Sequence, residues 1–81
     1  MDKLLNNSVF GQNLKEIRNK CGLTQEQTVA RIQVLGSPLS RSAYAGIESG
    51  KVNIFISDLV ALQQVFGVDF SEFFKGVSTS R

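Results

Sequence analysis

The chain has 81 residues, 42% of them hydrophobic, with a formal charge of +2 and no histidine. That length holds one domain with a modest core, and that apolar share excludes a disordered chain. One cysteine, Cys21, with no histidine to help it, excludes an internal disulfide and a structural zinc site.

No apolar run approaches the ~20 residues of a membrane span, and no signal-peptide core precedes the first polar residues. A cytoplasmic protein without a membrane partner is expected. The basic excess lies in the first half, where Lys3, Lys15, Arg18, Lys20, Arg31 and Arg41 face Asp2, Glu16, Glu26 and Glu48. A mild positive bias of this kind suits a nucleic-acid partner but does not require one.

In chain order, the first eight residues and the tail from Val77 to Arg81 read as frayed ends. Residues 9–21 read as a first helix, with Phe10, Leu14, Ile17 and Cys21 on one face at helical spacing and Gly22 as the stop. Cys21 is expected as a buried or half-buried thiol at that helix end. Gly11 reads as a mild cost in helix propensity. Thr24 caps a second helix that runs to about residue 35, and Gln27 stands where a capping box needs it. Val29, Ile32 and Leu35 form its apolar stripe.

Gly36 ends that helix, and Ser37, Pro38 and Leu39 make the turn. Ser40 caps a third helix over 41–49, closed by Gly50, with Ala43, Tyr44 and Ile47 inward and Arg41, Ser42, Ala45 and Gly46 outward. Residues 51–56 form a connector whose centre, Ile54, Phe55 and Ile56, is unusually apolar: either it plugs the core through Ile54 and Ile56, or it is a surface for a partner. A fourth helix is expected over 57–66. Asp69 caps a short fifth one, with Glu72 at the capping-box position and Phe70, Phe73 and Phe74 as its apolar face. The expected fold is all-α, five short helices in a single domain over 1–81 with a core of about 9–75.

A second helix, a short turn and a third helix with small or polar outer residues suit entry into the major groove of DNA, although any helical hairpin shares that outline. The residues narrow it. The stretches GLTQEQTVARI (22–32), SRSAYAGIESGK (40–51) and FGVDFSEFF (66–74) resemble the Cro and phage-repressor (Xre) helix-turn-helix family over about residues 9–75. The resemblance implies a lambda-repressor-like five-helix bundle that binds double-stranded DNA as a transcriptional regulator, most simply a repressor. It also implies that the third helix reads the groove.

Carried over position by position, it makes Gln25 a phosphate contact at the start of the second helix, where unpaired N–H groups favour an anion. Arg41, Ser42 and Gly46 fall at base-facing positions. Arg41 either grips the O6 and N7 edge of guanine or holds a phosphate; Ser42 reads a base or a phosphate; Ser40 is either a cap alone or a cap that also meets the backbone. Ser49, Lys51 and Asn53 fall where the family touches phosphate. Arg18 and Glu48 match a salt bridge that pins the recognition helix to the first helix.

Three departures stand out. Gly46 has no side chain with which to read a base, the apolar connector replaces basic residues, and the segment 33–39 is longer than the tight turn of the simplest members.

One short helix reads few base pairs, so a homodimer on an inverted-repeat operator is expected, with Phe73, Phe74 and Val77 as candidate contacts. With no histidine, no paired acids and no phosphate-cradling glycine motif, an enzyme is not expected. Neither cofactor, metal nor small-molecule ligand is implied. The competing class is a protein-interaction module on the same fold, an antitoxin or a partner of another regulator, which would use its apolar surface.

Overall fold

The computed structural model describes residues 8–77. Among them are four α-helices, α1 (Ser8–Lys20), α2 (Gln25–Val34), α3 (Arg41–Glu48) and α4 (Ile56–Phe66), and a 3₁₀ helix (Phe70–Phe74), with no strand. The expected fifth helix is therefore a 3₁₀ turn. Asp69 caps it, accepting from the Ser71 amide at 2.9 Å, and that bond holds the Asp69 carboxyl below its ordinary value. Glu72, expected to complete a capping box, pairs with Lys75 at 2.9 Å. Five residues, Phe70–Phe74, are too few for a stable α-helical ladder, and the short 3₁₀ turn buries Phe73 alone among its side chains. The expected fraying of 1–7 and 78–81 lies outside the described residues. Ser8, however, opens α1, and Val77 packs half-buried against the core.

Local chemistry sets the element ends. At α2 the capping box forms: the Gln27 amide donates to Thr24 Oγ1 at 3.0 Å and the Thr24 amide to Gln27 Oε1 at 2.9 Å. At α3 the Ala43 amide donates to Ser40 Oγ at 3.1 Å. α1, α2 and α3 all end in the same paired bond, the residue after the glycine donating to the carbonyl five back: Leu23 to Arg18, Ser37 to Ile32, Lys51 to Gly46. Gly50 makes the last of these possible, since its φ of 80° is a conformation that a side chain disfavours.

The core is continuous. Leu14, Ile32, Tyr44, Leu62 and Phe73 have no exposed surface. Phe73 is ringed by Phe10, Phe66 and Phe70 with centroids 6.3–6.5 Å apart. α3 packs on α1 and α2, α4 packs on α2, and the 3₁₀ helix packs on α1. Asn13 fixes that last contact by donating to the carbonyls of Phe73 (3.0 Å) and Lys75 (2.7 Å).

Three apolar positions depart from expectation. Cys21 is exposed, because α1 ends at Lys20 and the turn carries the thiol out, where Sγ lies 3.8 Å from the Phe66 carbonyl oxygen. Leu35 is half exposed, because α2 ends at Val34 before the stripe reaches it. The connector splits: Ile54 plugs the core, while Phe55 and Ile56 are exposed and α4 begins at Ile56 instead of residue 57.

Candidate nucleic-acid interface

The site is one short helix held from three sides. α3 has eight residues, and its inner face buries Tyr44, Ile47 and Glu48. A buried carboxylate is costly unless fully partnered. Glu48 has such partners. Its Oε2 takes a bond from Arg18 Nε at 2.6 Å, and its Oε1 takes bonds from Arg18 Nη2 at 3.1 Å and from Gln25 Nε2 at 3.0 Å. Arg18 Nη1 donates to the Leu23 carbonyl at 2.8 Å. The two-pronged geometry is one that arginine alone supplies. One residue each from α1, α2 and α3 thus meet in a single junction, and Leu23 brings in the turn between the first two.

The junction also fixes charge. Burial works to raise the Glu48 carboxyl, but the bonds from Arg18 and its other neighbours outweigh it and hold the group below its ordinary 4.5. The hydrogen bond to Glu48 raises Arg18 in turn. The Tyr44 hydroxyl is buried here without a well-formed hydrogen bond among the described residues. Burial, reinforced by the Glu48 carboxylate, pushes it well above the usual tyrosine value.

Gly11 sets how closely α3 approaches α1. A Cβ there would collide with the backbone carbonyl oxygens of Glu48 and Ile47, the latter at 2.6 Å. The glycine that reads as a mild cost in sequence is a requirement of the helix pair.

A second buried bond holds the turn. Ser37 Oγ donates to Asp58 at 2.7 Å, and both residues are more than nine-tenths buried. Ser37 Oγ also accepts from the Leu39 amide at 3.2 Å, and Gln33 Nε2 donates to the Leu39 carbonyl at 3.1 Å. The long 33–39 segment is thereby tied to the first turn of α4, where Asp58 also suits the helix dipole.

The outer side differs. Arg41 and Ser42 are exposed at the start of α3, and Ser40 is exposed as its cap. Ser49 is its C-cap, donating from Oγ to the Gly46 carbonyl at 3.0 Å, and Lys51 and Asn53 are exposed just beyond. Arg41 and Lys51 therefore bracket the helix with positive charge. Gln25 stands at the first position of α2 but is half-buried, and one of its amide protons is committed to Glu48.

Gly46 does not leave the helix backbone bare: the Val52 side chain lies on it, where a Cβ would collide with Val52 Cγ2. Of the three candidate dimer residues, Phe73 is wholly inside the protomer and offers no surface. Phe74 is 39% exposed and Val77 half-buried, and Phe70, expected inward, is 42% exposed.

Among the described residues no helix is long and apolar enough to cross a membrane. In the sequence Tyr44 reads only as an inward position and Gly11 as a mild helix cost, and neither Val52 nor the Ser37–Asp58 bond is singled out; Gly11, Ser37 and Asp58 take their roles from residues distant along the chain.

The helix-turn-helix family model matches residues 14–73. The control protein C.MunI of a Mycoplasma species is 35% identical over 69 residues, covering 84% of this chain and 86% of that protein. The HTH-type transcriptional regulator PuuR of Escherichia coli strain K12 is 41% identical over 64 residues, covering 79% of this chain and 32% of PuuR. Among solved structures, the restriction-modification controller protein C.AhdI from Aeromonas hydrophila superposes with a TM-score of 0.72 at 30% identity, over 83% of this chain and 94% of C.AhdI.

Proposed function

This chain belongs to the helix-turn-helix family and is a DNA-binding transcriptional regulator, not an enzyme; from that premise we propose that α3 reads the major groove of an inverted-repeat operator, one copy of the chain on each half-site. The observation that carries the proposal is the exposed Arg41–Ser42 pair on the outer face of a helix whose inner face is pinned by Arg18 and Glu48. Arg41 reads guanine through two parallel hydrogen bonds to O6 and N7, and Ser42 lies beside it. Ser40, Ser49, Lys51 and Asn53 hold the sugar-phosphate backbone. Gln25 contributes through the amide proton that Glu48 does not use.

A homodimer supplies what one short helix lacks, two half-sites about one helical turn (~34 Å) apart. The exposed Phe70 and Phe74 support an apolar contact at the 3₁₀ end, with Val77 at its margin. C.MunI and C.AhdI are matched over most of their own length, which supports a controller of restriction-modification genes, acting as a repressor in the cytoplasm, over a regulator of the PuuR kind.

Selection from random duplex DNA by wild type and by Arg41→Ala tests this. Expected is an inverted repeat with a guanine in each arm, that guanine being lost in the variant. Discrimination at it falls by ~1–3 kcal/mol. No enrichment by folded protein contradicts the proposal.

A second reading, a protein-interaction module, is favoured by the exposure of Phe55, Ile56 and Val60 at the start of α4. Salt separates the two. Phosphate contacts make log affinity fall linearly with log salt, by ~0.9 per phosphate neutralised, and an apolar contact does not.

A further inference from the structure

We propose that Val52, a connector residue, is a specificity-determining residue that reads the methyl group of thymine from the place a side chain at position 46 would occupy. The proposal rests on the reading of α3 as the groove-reading helix. On α3 the buried residues are Tyr44, Ile47 and Glu48, so the face turned furthest from the core carries Ser42 and, one turn later, Gly46. Gly46 has nothing to present. Val52 lies on it, close enough that an added Cβ would meet Val52 Cγ2 outright and Cβ at 3.1 Å.

This placement is built in. The amides of Lys51 and Val52 both donate to the Gly46 carbonyl, at 2.9 and 3.1 Å, and Gly50 turns the chain back over the helix end to make that possible. Val52 nonetheless remains 37% exposed. The outer face of α3 therefore presents a hydroxyl at Ser42 and a branched hydrocarbon one turn on. In the major groove the one apolar group on any base edge is the thymine C5-methyl, so a hydrocarbon at this level selects thymine. About five residues at ~1.5 Å each separate Arg41 from this point, ~7.5 Å in all, which puts the thymine about two base steps from the guanine that Arg41 reads.

The test uses the operator recovered by selection, with each thymine replaced in turn by deoxyuridine, which lacks only the methyl. For wild type, one thymine per half-site, about two steps from the Arg41-dependent guanine, loses roughly fourfold in affinity when its methyl is removed, the value of one such group taken out of water. Val52→Ala binds the thymine and deoxyuridine operators equally. The deoxyuridine series needs only wild-type protein, so a variant that folds poorly does not spare the proposal. Indifference of wild type to every replacement, or an undiminished methyl effect in a folded Val52→Ala, overturns it. If Arg41→Ala recovers the same sequences as wild type, the reading of α3 itself fails. If the guanine is lost but no methyl matters, only the role of Val52 fails.

Discussion

On its inner side α3 carries Tyr44, Ile47 and Glu48, all buried, and Glu48 meets α1 and α2 through hydrogen bonds of 2.6–3.1 Å. On its outer side Arg41 and Ser42 are exposed and Gly46 is covered by a single valine. The two faces of eight residues thus separate two tasks. The inner face makes orientation a property of the fold, because a displaced α3 would leave the Glu48 carboxylate buried without its partners. The outer face has few side chains and those few are short or charged, so changing what is read need not change how the helix is held.

The comparison is broken most severely from the inside. Arg18→Ala leaves Glu48 buried without its cation, at a cost of about 3–5 kcal/mol, which for a domain this small lowers the melting temperature by more than ~10 °C. DNA binding falls because the fold does, and circular dichroism melts beside a binding titration show both. Retained thermal stability with lost binding contradicts that assignment and makes Arg18 a direct DNA contact.

Gly11→Ala comes next. The added methyl meets backbone oxygens that cannot move independently, and overpacking of this kind costs about 1–3 kcal/mol, although alanine is the better helix former by about 1 kcal/mol. The net loss appears as a lower urea midpoint, and an unchanged or raised midpoint shows that α1 and α3 do not press together at this point.

From the outside the effects are smaller and fall on binding alone. Lys51→Ala, at an exposed position, leaves the melting temperature unchanged, weakens all sequences alike and reduces the slope of log affinity against log salt by about one. A change in sequence preference instead would move Lys51 from backbone to base.

Acid sharpens the contrast without any substitution. Glu48 is held below its ordinary 4.5 in the folded chain. A carboxyl depressed in this way contributes stability above its unfolded value, and that contribution is lost as pH falls through the folded value. The junction is thus intact near neutrality and gives way below about pH 4.5. Titration of the Glu48 carboxyl carbon by NMR is expected to inflect below that value, and an inflection above it means that burial outweighs Arg18.

The sequence makes legible what depends on near neighbours. Thr24 and Gln27 are three apart and form the capping box, Ser40 caps α3, and Gly22, Gly36 and Gly50 mark the ends of the first three helices. The pairing of Arg18 with Glu48 came through family resemblance, because nothing in the local pattern joins residues 30 apart. Most of what pattern reading missed lies at similar range. Ser37 reads as a turn residue, and nothing local joins it to Asp58, 21 residues on, with which it forms one buried bond. Gly11 reads as a weak helix residue until the carbonyls of Ile47 and Glu48 arrive beside it. Gly46 reads as an empty base-facing position until the turn at Gly50 lays Val52 over it. Phe70, Phe73 and Phe74 suit an apolar helical face on paper, but the short 3₁₀ helix buries Phe73 and leaves Phe70 and Phe74 outside.

The most direct test of the central claim, that the outer face of α3 is the surface that meets DNA, is an NMR titration of isotope-labelled protein with its selected operator duplex. The backbone amides of Arg41, Ser42, Lys51 and Val52 are expected to shift together with the side chain of Arg41, while those of Val34 and Val60 stay in place. Saturable binding that leaves residues 41–52 unmoved contradicts the account.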